Sequence, residues 1–160
     1  MNKAVFLDRD GVINVDRGDY TFRIEDFEFV PGIFDDCKKL IQKGYQLIVI
    51  TNQAGIAKGL YSHQQVDELH HFMTRQFAAK GVPLQEVYYC PHHESFSLCL
   101  CRKPGSLLLE KALARFELDA ALSYFIGDRE RDIEAGNNAG VIGILVKENT
   151  GLQEILPLIR

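Results

Sequence analysis

The chain has 160 residues, 46% of them hydrophobic and 25% charged, with 13 Gly, 5 Pro and no Trp. That length fits one domain, taken as residues 1–160, and is enough to bury a core without covalent staples. The composition excludes disordered, fibrous and repeat classes. Eighteen Lys and Arg against 22 Asp and Glu leave a formal charge of −4, so there is no polybasic footprint for nucleic acid or an anionic membrane. The longest apolar runs, such as Leu47–Ile50, fall far short of a membrane span. Asp8 interrupts the first apolar stretch before it could act as an export signal. The expectation is a cytoplasmic domain with neither nucleic acid nor membrane as partner. No heptads or long apolar patch demand an oligomer, so a monomer is expected.

In chain order, short apolar runs alternate with longer amphipathic stretches, the pattern of βα units on a mainly parallel sheet. Strands are predicted at Ala4–Leu7, Gln46–Ile50, Glu86–Tyr89, Tyr124–Ile126 and Val141–Val146. Helices are predicted near Ile33–Lys43, Ser62–Lys80, Ser106–Phe116 and Arg131–Ala139, with a closing helix near Leu152–Ile159. Pro31-Gly32 suits entry into the first helix, Ser62 suits an N-cap, and Gly44 and Gly81 fall where helix C-terminal glycines belong. The fold class is therefore α/β, a three-layer sandwich around a Rossmann-like sheet. Two segments fit neither period, 14–30 and 91–105, and both follow strand ends, where open α/β sheets place their ligands.

Chemistry-bearing residues collect at those ends. Strand alternation sends Asp8 and Asp10 toward one site and Arg9 away from it, and Gly11 lets the chain turn at once. Asp128 and Asp132 follow a later strand, Thr51-Asn52 ends the second, and Lys103 follows the Cys-rich segment. Taken singly, each has an ordinary explanation: a solvated pair, a turn, a helix boundary, a cap. Together they supply converging carboxylates that call for a hard cation such as Mg²⁺, a hydroxyl donor and a lysine. Phosphoryl transfer needs these parts, because its catalysis is mostly positioning and charge stabilisation.

The segments Phe6-Leu7-Asp8-Arg9-Asp10-Gly11-Val12, Ile50-Thr51-Asn52, Lys103-Pro104 and Ile126-Gly127-Asp128 through Asp132 resemble the four motifs of the haloacid-dehalogenase superfamily of phosphatases, over nearly the whole chain. The resemblance implies that Asp8 is a nucleophile forming an aspartyl-phosphate. It implies that Asp10 is the general acid and then base, and that Thr51 and Lys103 bind phosphoryl oxygens. It further implies that Asp8, Asp10 (through its main-chain carbonyl) and Asp128 hold catalytic Mg²⁺, while Asp132 orients Lys103 or metal-bound water. A member of this length lacks a separate cap domain, so its loops must supply specificity.

Cys90, Cys99 and Cys101 cluster with His92 and His93, whereas Cys37 reads as a small core residue. Three readings fit the cluster: a closed structural zinc site of three thiolates and an imidazole, a disulfide from Cys90 to Cys99 or Cys101, or reduced thiols. A cytosolic setting disfavours the disulfide. A Cys-x-His…Cys-x-Cys-Arg-Lys-Pro loop resembles the subgroup containing heptose-bisphosphate and histidinol-phosphate phosphatases. That resemblance implies Zn²⁺ on Cys90, His92, Cys99 and Cys101, a zinc loop at 90–101 that is architectural and fixes Arg102 and Lys103, and an ordinary loop role for His93.

Asp16, Arg17, Gly18 and Asp19 are candidate readers of sugar hydroxyls, and Arg102 and Arg129 candidate anion grips. A charged loop of this density is equally compatible with plain solvation. Further stretches, Asp10–Asp16, Phe27–Gly32, Thr51–Gly59 and Tyr88–His93, resemble heptose-bisphosphate phosphatases. They imply a sugar phosphate substrate contacted by Asp16–Asp19, Thr51, Asn52, Gln53, Ala54, Arg102, Lys103 and Arg129. The short stretch between His92 and Cys99 is closer to histidinol-phosphate phosphatases, which stand as the alternative. A non-catalytic phosphate-binding module is the alternative from another class. It predicts loss of Asp8, Asp10, Lys103 or Asp128, and all four are present.

Overall fold

The four residues Ala4–Leu7 form β1, the middle strand of a five-stranded sheet, and all four are buried. A strand covered on both faces reads as a continuous apolar run rather than an alternating one. The computed structural model describes residues 2–160. Its other strands are β2 (Gln46–Asn52), β3 (Glu86–Cys90), β4 (Tyr124–Gly127) and β5 (Ile142–Leu145), in the order β3-β2-β1-β4-β5. Every pairing is parallel; Leu7 stands level with Val49 on one side and Ile126 on the other.

The helices are α1 (Ile33–Gln42), α2 (His63–Ala79), α3 (Leu107–Arg115) and α4 (Glu130–Asn138). Alternate residues of the strands feed two cores. Val5, Leu7, Leu47 and Val49 pack with Ile33 and Leu40 of α1 and with Leu69, Met73 and Phe77 of α2. Phe6, Ile48, Ile50 and Phe125 face the opposite layer with Leu109 and Ala112 of α3 and Ala135 of α4. The expected three layers are thus present. Ser62 caps α2 through a reciprocal pair with Gln65, an arrangement whose loss on Ser62→Ala costs about 1 kcal/mol. Gly44 and Gly81 close α1 and α2 with positive φ of 86° and 74°.

The strands and helices fall within two residues of the expected bounds. The end of the chain is the exception: no α-helix covers Leu152–Ile159, and only a 3₁₀ turn forms at Leu156–Leu158. Pro157 has no N–H for a continuing helix, and tertiary contacts fix this segment instead. Asp36 Oδ2 accepts from the Leu152 N–H at 3.0 Å, Lys43 Nζ donates to the Leu156 and Ile159 carbonyls, and Tyr45 donates to the Arg160 carbonyl. Cys37 lies wholly buried in the α1 core, as expected. Among the described residues, no helix is long and apolar enough to cross a membrane.

With β1 flanked by β2 and β4, the chain departs from the sheet's centre in two directions. A crevice at the carboxyl ends of these strands is where such folds bind ligands. Asp8 follows β1, Thr51 lies at the end of β2, and Asp128 follows β4.

Candidate active site

Lys103 sits at the centre of the site and is 2% exposed. Its Nζ lies 2.9 Å from Asp8 Oδ1 and 2.7 Å from Asp132 Oδ1, and donates to the Ile50 carbonyl at 3.1 Å. Asn52 brings it there across the sheet edge, since Asn52 Oδ1 accepts from the Lys103 N–H at 3.1 Å. Burial would lower the lysine, but the charges of Asp8 and Asp132 outweigh it and hold its pKa above the ordinary value. Asp8 behaves oppositely. Burial pushes its carboxyl up to about 8 although Lys103 pulls it down, and the neighbouring Asp132 and Asp128 push it further.

Asp8, Asp128 and Asp132 bring carboxylate oxygens within 4.8 Å of one another. One buried lysine cannot balance three carboxylates, and Asp128 makes the deficit concrete. Both its oxygens are buried without a hydrogen-bond partner among the described residues, and the nearest cation, Arg129 Nε, is 3.7 Å away. Burial raises its pKa, and Asp132 adds to the rise. Orphaned buried carboxylate oxygens beside two further acids suit a hard divalent cation, which takes oxygen ligands and keeps several waters. Gly11 makes the approach possible. At φ +88° a Cβ there would stand 2.3 Å from Asp128 Oδ2, so a side chain at position 11 and Asp128 in this place exclude each other.

Asp10 does not join that cluster with its side chain. Its Oδ1 accepts from Arg9 (2.8 Å from Nη2, 3.3 Å from Nε) and from Asn14 at 3.0 Å, and its Oδ2 accepts from Gln53 at 3.2 Å. Burial would raise this carboxyl, but the Arg9 charge and these hydrogen bonds outweigh it and hold its pKa below the ordinary value. Gln53 Nε2 also donates to Thr51 Oγ1 at 3.0 Å, and Tyr61 donates to Gln53 Oε1 at 2.7 Å. Gln53 therefore ties the Thr51 hydroxyl to Asp10. Although β1 ends at Leu7, parity would turn Arg9 away from the site. Its long side chain nevertheless curls back to Asp10, a contact that residue parity misses.

A cleft of about 420 Å³ opens over Asp10. Of the residues expected to contact substrate, Asp16, Gly18, Asp19, Asn52, Gln53, Ala54, Arg102 and Arg129 line it. Arg17, Thr51 and Lys103 do not; Arg17 turns to Asp26, Thr21 and the Tyr20 carbonyl, so its reach is spent inside its own loop. Thr21, Lys58, His93 and Arg131 also line the cleft and escaped the sequence reading, and Tyr20 lines it beside Asp19. Lys58 Nζ and Tyr20 Oη meet at 2.6 Å across the cleft wall. Nothing local links residues so far apart in sequence.

The cysteine cluster ends at Cys101, two residues before Lys103. Cys90 Sγ stands 3.0 Å from Cys101 Sγ and 3.7 Å from Cys99 Sγ; His92 Nδ1 is 3.5 Å from Cys90 Sγ and 3.2 Å from Cys101 Sγ. All four cysteines are free, so the disulfide alternative is not realised. A tetrahedral zinc with Zn–S of about 2.3 Å and Zn–N of about 2.0 Å needs S···S edges of about 3.8 Å and S···N edges of about 3.5 Å. The four donors fit such an ion with a small expansion. His93 stays out of the cluster and accepts from the Ser95 N–H at 3.2 Å.

Comparison with known proteins agrees with this arrangement. The HAD-hydrolase-like family model matches residues 100–157. A D-glycero-alpha-D-manno-heptose-1,7-bisphosphate 7-phosphatase of Campylobacter jejuni is 45% identical over 95% of this chain and 86% of its own length. The D-glycero-beta-D-manno-heptose-1,7-bisphosphate 7-phosphatase of Escherichia coli K12 is 42% identical over 92% and 80%. The crystal structure of a D,D-heptose 1,7-bisphosphate phosphatase from B. bronchiseptica, complexed with magnesium and phosphate, superposes with a TM-score of 0.85 at 30% identity, covering 99% of this chain and 87% of that one. With that likeness over nearly its whole length, the chain belongs to the heptose-bisphosphate phosphatase family of haloacid-dehalogenase-like hydrolases.

Proposed function

We propose that this protein removes the 7-phosphate of D-glycero-D-manno-heptose 1,7-bisphosphate through an aspartyl-phosphate on Asp8. The observation that carries the chemistry is the Asp8–Lys103–Asp132 ion network beside the orphaned oxygens of Asp128. The relatives' names carry the substrate. The carboxylate of Asp8, which Lys103 and a bound Mg²⁺ would hold ionised against its burial, attacks phosphorus, forming the P–Oδ bond as the bond to the sugar oxygen breaks. Asp10, held ionised by Arg9 in the free protein, takes up a proton as the phosphate dianion enters beside it and gives that proton to the sugar oxygen, whose pair it neutralises. In the second half, water attacks phosphorus, Asp10 takes the water proton, and the P–Oδ bond breaks to restore Asp8.

Lys103 and the Thr51 hydroxyl bind the transferring oxygens, and charge placed in advance is the largest contribution such sites make. Asp132 holds Lys103 in place. Asp8, the Asp10 main-chain carbonyl and Asp128 would hold Mg²⁺, which when bound neutralises charge on the phosphoryl group. Cys90, His92, Cys99 and Cys101 would hold a structural Zn²⁺ that fixes the approach of Arg102 and Lys103. Asp16, Gly18, Asp19 and Tyr20, with Arg102, Arg129 and Arg131, read the remainder of the sugar bisphosphate. The unit acts as a cytoplasmic monomer of one domain.

Phosphate release from both anomers of the heptose bisphosphate and from histidinol phosphate, with and without Mg²⁺, tests this reading. A Mg²⁺-dependent kcat/KM at least tenfold higher for a heptose anomer is the expected outcome. Preference for histidinol phosphate would reassign the substrate, and release indifferent to Mg²⁺ would remove the metal role.

A further inference from the structure

Arg9 is wholly buried, yet neither the ion network around Lys103 nor the cleft makes use of it. Its guanidinium has five N–H donors in a rigid fork. Nη1 donates to His70 Nε2 at 3.1 Å, Nη2 to Asp10 Oδ1 at 2.8 Å and to the Thr21 carbonyl at 2.7 Å, and Nε to Asp10 Oδ1 at 3.3 Å. His70 reaches this fork from the middle of α2, 61 residues away in sequence. Its side chain is buried against the ring of Tyr89. An arginine can only donate, so His70 must offer a lone pair and stay neutral.

The consequence falls on Asp10. Its Oδ1 is filled by Arg9 and Asn14, whereas Oδ2 has a single donor, Gln53, and Asp10 lines the cleft. The fork thereby decides which oxygen of Asp10 is available there. We propose that His70 is a positioning residue for the reaction: its Nε2 locks the Arg9 fork, and the fork presents Asp10 Oδ2 to the oxygen of the leaving alcohol. The inference rests on the reading of Asp10 as the general acid.

Without an acceptor at position 70, Nη1 is left unsatisfied in a buried place, and the guanidinium must re-aim to find a partner. Asp10 then loses its orientation while Asp8, Lys103 and Asp128 keep theirs. A misplaced acid hurts only a leaving group that needs a proton. The sugar alkoxide needs one; p-nitrophenolate leaves as a stable anion. The ratio kcat/KM is the right readout because it ends at the departure of the alcohol, before the hydrolytic step in which Asp10 serves as base.

The experiment compares kcat/KM for heptose 1,7-bisphosphate and for p-nitrophenyl phosphate in wild type, His70→Leu, His70→Gln and Asp10→Asn. His70→Leu is expected to lower the value for the sugar phosphate by roughly 10- to 100-fold and that for the aryl phosphate by less than about threefold. His70→Gln, whose amide oxygen can accept from Arg9, is expected to restore the sugar phosphate to within about threefold of wild type. Should His70→Leu not fold, His70→Asn draws the acceptor back from Arg9 and is expected to show the same selective loss. Equal losses on both substrates, or none, would overturn the proposal while the Asp10 reading stands. An Asp10→Asn variant that keeps full activity on the sugar phosphate would overturn the reading itself, and the proposal with it.

Discussion

Acidification from pH 7 to pH 5 should destabilise this fold through His70. Burial first, and then the charge of Arg9, drive its pKa down from 6.5 to about 3. Between those values the unfolded chain binds a proton that the folded chain refuses, so stability falls as pH falls through this window. A group with 6.5 unfolded and about 3 folded loses about 2 kcal/mol between pH 7 and pH 5. For a chain of this length that corresponds to a drop in Tm of about 4–8 °C. Other titrating groups also respond, and Asp8, with its raised value, responds in the opposite sense. The assay is therefore a difference: thermal unfolding of wild type and His70→Gln at both pH values. Wild type should lose several degrees more than the variant. Equal losses in the two proteins would show that His70 is not held neutral in the fold and refute the reasoning.

Lys103→Met leaves Asp8 and Asp132 buried without their shared cation. The expected cost is about 3–5 kcal/mol in urea unfolding, with kcat down roughly 10²-fold or more; unchanged stability would contradict the network. Gly11→Ala places a Cβ against Asp128 Oδ2 in a backbone conformation of φ +88°. Activity titrated with Mg²⁺ should need at least about tenfold more metal, and a wild-type titration curve would contradict the placement of Asp128. Stripping the Cys90–His92–Cys99–Cys101 cluster with a chelator should abolish activity, because Arg102 and Lys103 follow the last ligand directly. Zn²⁺ together with Mg²⁺ should restore it where Mg²⁺ alone does not. Full activity of zinc-free protein would dismiss an architectural metal.

What could be read from the sequence follows from the range of the interactions involved. The strands around Val5, Leu47 and Phe125 are legible because both faces of the sheet are covered, which leaves uninterrupted apolar runs. Asp8, Thr51 and Asp128 are legible because strand ends are fixed once the strands are, and a parallel sheet gathers those ends at one edge. The cysteine loop is legible because its donors lie within 12 residues of one another. The C-terminal segment is not: its apolar residues fit a helical period, but the carbonyls of Leu156 and Ile159 are taken by Lys43, far away in sequence. The Arg9–His70 contact, the Gln53 bridge and the Lys58–Tyr20 pair are also hidden, since each joins side chains from separate elements. Arg9 marks the limit of parity arguments, because a long side chain can leave one face of the chain and return to a neighbour on the other.

The covalent role of Asp8 is the claim on which the rest depends. Acid-quenching the enzyme during turnover of heptose 1,7-bisphosphate, followed by peptide mass spectrometry, tests it directly. The account predicts one added phosphoryl group on the peptide bearing Asp8, labile in mild base, and none in Asp8→Asn, which should fold normally and release no phosphate. A phosphoryl group on another residue, or an Asp8→Asn protein that still turns over, would contradict it.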